Sequence, residues 1–230
     1  MIFSPKNKNI EDIELLICNT AIERVYVTKF LGVHIDAKLT WKTHIDYTCK
    51  KLSKSVAILA KARKKLTKPY LISLYYSFTY PYFIYCNQVW GSNYRTHLEK
   101  LYILQKKIIR IITSSPYRAH TEPLFTDNKM LNVFDINDYM VSMFVFRNID
   151  IEKPTLFTSF FEKNKLRHSH ATRISDDLYV PTAKTNVRKF SIRIKGALTW
   201  NSIPDTIRNS KSSNIFKREL KKYLLKKKSK

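Results

Sequence analysis

The chain has 230 residues, of which 44% are hydrophobic and only three are glycine. That is enough apolar material for a sizeable core, and the scarcity of turn residues argues against an all-β sandwich and favours helices. Lys and Arg outnumber Asp and Glu by 42 to 18, for a formal net charge of +24. Such an excess attracts polyanions, above all nucleic acid; binding to anionic lipid is the weaker alternative.

Neither a secretory signal nor a membrane span is predicted. The most apolar stretch, residues 70–90, contains Pro81 and lacks the roughly 20 continuous apolar residues that a span needs. Cys18, Cys49 and Cys86 are too few and too scattered for a disulfide framework, and each is expected to be buried as a small hydrophobe. We therefore expect an intracellular protein of the nucleus or cytoplasm.

Short β-strands are predicted in residues 13–17 and 25–33. Gly32 then allows a tight turn or a close backbone approach. Thr40 is predicted to cap a helix that begins at Trp41. Apolar residues then recur at helical spacing on one face: Trp41, Ile45, Cys49, Leu52, Val56, Leu59 and Leu66.

A row of lysines follows the opposite face of this predicted helix: Lys50, Lys54, Lys61, Lys65 and Lys68. Between Lys42 and Lys68 only Asp46 opposes nine basic residues, so salt bridges along the helix do not explain them. We predict that the row contacts nucleic-acid phosphates. An ordinary solvated helix face is the alternative.

A second helix is predicted from Lys68 to Trp90, with a kink at Pro81. Its many aromatic residues are interpreted mainly as core, with base stacking as the alternative. Further helices are predicted from Arg95 to Ile112 and from about Asp135. Residues 152–187 form an irregular connector, followed by a helix over residues 214–225. The basic tail 226–230 is expected to be disordered, and it is either a nuclear signal or a plain tail.

Three blocks of sequence, in order, resemble the LINE-type (non-LTR, jockey-like) retrotransposon reverse transcriptases. The first runs from Met1–Pro5 through Phe30-Leu31-Gly32 to Trp41–Ile45 and resembles the last palm strands and the primer grip. The second, from Tyr80-Pro81-Tyr82 to Ile112, resembles the thumb helices. The third, from Lys189 to Pro204, resembles the end of the family's open reading frame.

The resemblance implies an α+β, mainly α fold with three parts. Residues 1–40 would be a palm remnant with a short antiparallel β-hairpin, residues 41–150 a helical thumb, and residues 151–230 a connector and helical C-terminal extension. Phe30, Leu31 and Gly32 would hold the primer's 3′ end. The five lysines named above would follow the phosphates of an RNA–DNA primer–template duplex.

The family's metal ligands, one upstream carboxylate and an Asp pair in a Tyr-x-Asp-Asp turn, have no counterpart here. The only adjacent aspartates, Asp176 and Asp177, are expected in a surface loop. Phosphoryl transfer depends on correctly held metal ions, so the parent enzyme would use Mg²⁺, whereas this chain is expected to hold no metal or other cofactor and to be inactive alone. We interpret it as a truncated fragment that lacks the parent's palm and fingers; the alternative is a stand-alone basic helical nucleic-acid-binding protein.

Overall fold

Two short antiparallel β-hairpins precede a helical body in the computed structural model, which describes residues 1–3, 15–149, 156–166 and 175–227. In the first hairpin, β1 (Leu16–Ile17) pairs with β2 (Thr20–Ala21). In the second, β3 (Val27–Phe30) pairs with β4 (Val33–Asp36), with Phe30 opposite Val33. The two hairpins form separate sheets. The predicted α+β, mainly α fold is confirmed.

The helices of the described residues follow in chain order. They are α1 (Lys42–Ala62), α2 (Lys68–Leu74), α3 (Tyr80–Ile84), α4 (Asn87–Trp90), α5 (Arg95–Ile112), α6 (Thr121–Asp127), α7 (Val133–Asn148), α8 (Asn186–Lys189), α9 (Ile192–Asn201), α10 (Asp205–Arg208) and α11 (Ser213–Lys226). A π-helical turn at Tyr75–Thr79 joins α2 to α3. Short 3-10 turns lie at Thr158–Phe160 and Asn164–Leu166. No helix among these is long and apolar enough to cross a membrane.

Helix α1 packs along α5 to form the centre of the core. On α1, Ile45, Leu52 and Leu59 are buried, and they recur every seven residues. Seven residues are close to two helical turns, so these side chains lie in one line. Leu101 and Ile108 repeat the same spacing on α5 and are completely buried.

The second predicted helix is interrupted rather than simply kinked. Its inner positions, Leu71, Tyr75, Thr79, Phe83 and Asn87, are buried at every fourth residue. In an α-helix a four-residue repeat drifts by about 40° each time. The wider π-helical turn, which lies just before Pro81, offsets part of that drift and keeps the inner row against the core.

The C-terminal helices pack against α7, which lies within the predicted thumb. The Phe146 ring on α7 stacks on Phe216 of α11 at 4.3 Å between centroids, and Trp200 of α9 lies 5.7 Å from Phe216. The Asn201 side chain makes two 2.9 Å hydrogen bonds with the backbone of Leu178, which fixes the preceding connector to α9. The described parts of residues 156–227 therefore share the core of the helices before them.

One predicted helix is too long. Helix α1 ends at Ala62, and residues 63–66 form a turn. Leu66 therefore does not continue the inner face, and 39% of it is exposed. Lys65 lies in the turn and Lys68 begins α2. Only Lys50, Lys54 and Lys61 of the predicted row share a helix.

Candidate nucleic-acid interface

The tip of the second hairpin presents two apolar side chains to solvent. Leu31 and Gly32 both have positive φ, 44° and 80°, as in the two-residue turns whose twist matches that of the flanking strands. Phe30 and Leu31 are 62% and 73% exposed, while Val33 directly behind them is buried. The predicted grip residues thus form one exposed tip.

Tyr85, in the turn between α3 and α4, fixes this tip to the helical body. Its hydroxyl donates a 2.6 Å hydrogen bond to the carbonyl oxygen of Leu31. Its ring lies against Gly32, where an added Cβ would be 3.4 Å from Cε1. No sequence pattern predicted this pairing, because the partner lies 54 residues away.

Asp36 organises the start of α1, while the predicted cap, the Thr40 hydroxyl, accepts a longer 3.4 Å hydrogen bond from the backbone N–H of Lys42. The Asp36 carboxylate accepts hydrogen bonds from the backbone N–H of Thr40 at 3.0 Å and of Trp41 at 2.7 Å. Trp41 precedes the helix with φ 60° and caps nothing with its side chain. One carboxylate therefore joins the end of β4 to the beginning of α1.

Beneath the hairpin, the half-buried His34 and the buried His44 connect β4 to the body. The backbone N–H of His34 donates to Nδ1 of His44 at 3.4 Å. The His44 ring lies edge-on to Trp90 at 5.3 Å. Desolvation, assisted by the nearby His34, lowers the pKa of His44 to about 4. His44 is thus neutral near pH 7, as an acceptor at Nδ1 requires.

The three lysines of α1 form a compact row of uncompensated charge, hereafter the lysine row. Lys50, Lys54 and Lys61 are exposed and fall within an arc of about 40° on the side of α1 away from the core. Among the residues that the structure describes, no carboxylate lies within ion-pair distance of any of them. The nearby acid of α1, Asp46, is bound to Lys100 of α5 at 2.8 Å.

Additional cations follow α1. Lys65 and Lys68, with Arg63 and Lys64, are all exposed in and after the turn at residues 63–66. The five lysines predicted to contact phosphates thus fall into two groups in the structure. Three form the lysine row on α1. Lys65 and Lys68, together with Arg63 and Lys64, form what we call the basic turn between α1 and α2.

The adjacent aspartates lie in a turn at residues 175–177 and do not fit a magnesium site. Lys165 contacts Asp176 at 2.9 Å and lowers the pKa of that carboxyl group. Arg208 contacts Asp177 at 2.7 Å. Both carboxylates are thus already paired with cations. Within the described ranges no group of three or more His, Cys, Asp or Glu side chains could hold a metal ion.

Comparison with known proteins identifies a group of relatives. Over 110 residues the chain is 32% identical to the RNA-directed DNA polymerase from mobile element jockey of Drosophila funebris. It is 30% identical over the same length to the probable RNA-directed DNA polymerase from transposon X-element of Drosophila melanogaster. Each match covers 46% of this chain but only 12% of the relative.

A weaker match extends the same group. The probable RNA-directed DNA polymerase from transposon BS of Drosophila melanogaster is 26% identical over 102 residues. No protein-family model and no solved structure matches the chain. The resemblance predicted from the three sequence blocks is confirmed: over nearly half of its length, this chain is homologous to a part of the jockey-like, LINE-type retrotransposon RNA-directed DNA polymerases.

Proposed function

We propose that this chain is the region of a retrotransposon RNA-directed DNA polymerase that grips the primer–template duplex, while catalytic carboxylates and Mg²⁺ belong to other parts of the parent enzyme. The observation that carries the proposal is the uncompensated lysine row. From Lys50 to Lys61 it extends about 16 Å along α1, the length of about five base pairs of duplex. Contacts of this kind hold phosphates without reading bases.

The hairpin tip supports the part of the proposal that concerns the primer. Phe30 and Leu31 project apolar side chains, and the turn backbone at Gly32 lies at the surface, held in place by Tyr85. A rigid, neutral tip beside a basic helix suits the end of a primer, where the last sugar and base must be positioned. We assign Phe30, Leu31 and Gly32 to the primer's 3′ end.

The outer strand of this hairpin offers a place for the remainder of the polymerase. All four residues of β3 are exposed, and β3 pairs only with β4 among the described strands. An open edge of this kind pairs readily with another strand. We propose that the palm and fingers of the parent enzyme pack here and supply the metal site.

A stand-alone nucleic-acid-binding protein is the second candidate. It is favoured by the core, which runs without a break from α1 to α11. Binding would then be the whole function, with no polymerase partner. Addition of a palm-and-fingers fragment of a jockey-type polymerase separates the two: the first proposal requires a complex through β3, and the second does not.

A salt titration of binding to a labelled RNA–DNA primer–template duplex tests the proposed function. The triple variant Lys50→Gln, Lys54→Gln, Lys61→Gln is expected to reduce the slope of log affinity against log salt by about 2 to 3, since each lost phosphate contact accounts for about 0.9.

The matched control is the triple variant Lys184→Gln, Lys211→Gln, Lys227→Gln. It removes the same charge from exposed positions elsewhere and is expected to leave most of the slope. Equal effects of the two variants would mean that only net charge matters, and the proposed grip would be abandoned.

A further inference from the structure

One stretch of this very basic protein contains no charged residue. Residues 69–94 contain no Asp, Glu, Lys, Arg or His, although 26% of the whole chain is Asp, Glu, Lys or Arg. This stretch forms α2, the π-helical turn, α3 and α4. A solvated surface is normally rich in charged side chains, so the exposed side of these helices calls for a functional explanation.

The aromatic residues of this stretch include buried and exposed side chains. Tyr75, Phe83 and Trp90 are fully buried. Phe78, Tyr82 and Tyr85 are 60%, 37% and 53% exposed. We call these three the aromatic row, because spacings of four and three residues bring them to the same side of the helix.

The aromatic row lies between two features of the candidate interface. At one end, the Tyr85 hydroxyl holds the carbonyl of Leu31, so the exposed Phe30 and Leu31 continue the apolar surface. At the other end, α2 begins at the basic turn, where Lys68 and Tyr70 are both exposed. A nucleic-acid strand whose phosphates contact the basic turn would have its bases directed along the aromatic row.

The chemistry of the row fits bases better than phosphates. Aromatic side chains stack on the uncharged faces of nucleobases of any sequence, and their rings carry no positive charge to pair with a phosphate. Ser77 and Pro81, beside the row, are small, and the Ser77 hydroxyl donates into its own helix at 2.8 Å. Flat surroundings let a base approach the rings closely. Seven residues separate Phe78 from Tyr85, about 10 Å at the rise of a helix, which is room for about three stacked bases.

We propose that the aromatic row stacks on unpaired bases next to the end of the primer–template duplex. The inference rests on the proposed function and extends it from phosphates to bases. Together, the lysine row would hold the duplex and the aromatic row would hold the single-stranded nucleotides that adjoin it.

The test compares two probes: a blunt RNA–DNA duplex, and the same duplex with a three-nucleotide overhang. The wild-type chain is expected to bind the overhang probe more tightly. The double variant Phe78→Ala, Tyr82→Ala is expected to weaken that binding by at least about fivefold, with the affinity for the blunt duplex and the salt slope unchanged. Both positions are exposed, and thermal unfolding would verify that the fold is kept.

Two further variants sharpen the result. Phe78→Leu, Tyr82→Leu keeps apolar side chains without a π-face and is expected to lose the preference for the overhang as well. Ile103→Ala, Val187→Ala removes exposed apolar side chains elsewhere and is expected to keep it.

The outcomes separate the two proposals. Absence of salt-dependent binding by the wild-type chain would overturn the proposed function. Normal, salt-dependent binding with an overhang preference that survives Phe78→Ala, Tyr82→Ala would overturn only the stacking. If that variant instead abolishes self-association in sedimentation and leaves overhang binding intact, the row is a protein interface and the inference is wrong.

Discussion

At the scale of single residues, the hairpin tip depends on a distant side chain. Glycine at position 32 indicates a turn, and its φ of 80° agrees. Leu31 also has positive φ, which costs an L-residue about 1 to 2 kcal/mol. The Tyr85 hydroxyl, which donates a hydrogen bond to the Leu31 carbonyl oxygen, lies 54 residues later in the chain. A tight turn can therefore be predicted locally, but the contact that holds it cannot.

Cysteine burial was predicted less well than the turn. Cys18 is exposed, with φ 48°, in the turn of the first hairpin, so the prediction that it lies in the core is wrong. Cys49 is half-buried, and burial raises the pKa of its thiol to about 11. The difference is one of position: Cys49 lies on the amphipathic helix α1, whose periodicity is visible in the sequence.

His44 makes the stability of the protein depend on pH. Its pKa is about 4 in the folded protein against 6.5 in a model peptide, so the unfolded chain binds more protons between these values. The contribution is complete above pH 6.5 and is lost as the pH falls toward 4. We expect the free energy of unfolding to decrease by about 1 to 3 kcal/mol over this range from His44 alone.

Urea denaturation at pH 7.5, 6, 5 and 4 measures this dependence. His44→Gln cannot titrate, so it is expected to flatten the profile relative to the wild-type protein. His120→Gln, at an exposed position, is the matched control and is expected to retain the slope. A His44→Gln profile as steep as the wild-type one would show that other groups cause the acid sensitivity.

At the scale of elements, periodic segments were predicted more accurately than their junctions. Helix α5 has its predicted bounds, Arg95–Ile112, and the last helix, Ser213–Lys226, is close to the predicted 214–225. In contrast, α1 stops at Ala62. Lysines continue at helical spacing through the turn that follows α1. The spacing of charged residues does not indicate where the buried face of a helix ends, so it could not predict this boundary. The π-helical turn was likewise invisible, because it follows from how the inner row meets the core.

The Asp36 carboxylate offers a test of how β4 is joined to α1. Asp36→Ala removes the acceptor of the backbone N–H groups of Thr40 and Trp41, and it is expected to reduce the free energy of unfolding by about 1 to 2 kcal/mol. Thr40→Val, which removes the hydroxyl predicted to be the cap, is expected to cost less than about 0.5 kcal/mol. Chemical denaturation of both variants decides between the two residues. A larger loss for Thr40→Val would restore the original prediction.

At the scale of the whole molecule, composition correctly predicted the dominance of helices, whereas long-range packing could not be predicted from it. Residues 151–230 were predicted as an extension beyond a thumb at 41–150. In the structure, Trp200 and Phe216 pack against Phe146 of α7. Nothing in the sequence of α11 specifies which helix its apolar face meets.

Phe216 tests whether this shared core makes the molecule unfold as one unit. The side chain is completely buried between α7 and α9, and Phe216→Ala is expected to reduce the free energy of unfolding by about 3 to 5 kcal/mol. Its neighbour Ile215 is 40% exposed, so Ile215→Ala is the matched control and is expected to cost well under 1 kcal/mol.

Because α7 contacts α3, α4 and α5 as well as the C-terminal helices, a single cooperative transition should shift as a whole in the Phe216 variant. The measurement is urea denaturation followed both by tryptophan fluorescence, which includes Trp90 and Trp200, and by circular dichroism. Coincident curves mean that the hairpin, the lysine row and the aromatic row are supported by the same cooperative core as the C-terminal helices. Two separated transitions, with only the first moved by Phe216→Ala, would mean that the C-terminal helices fold as an independent domain.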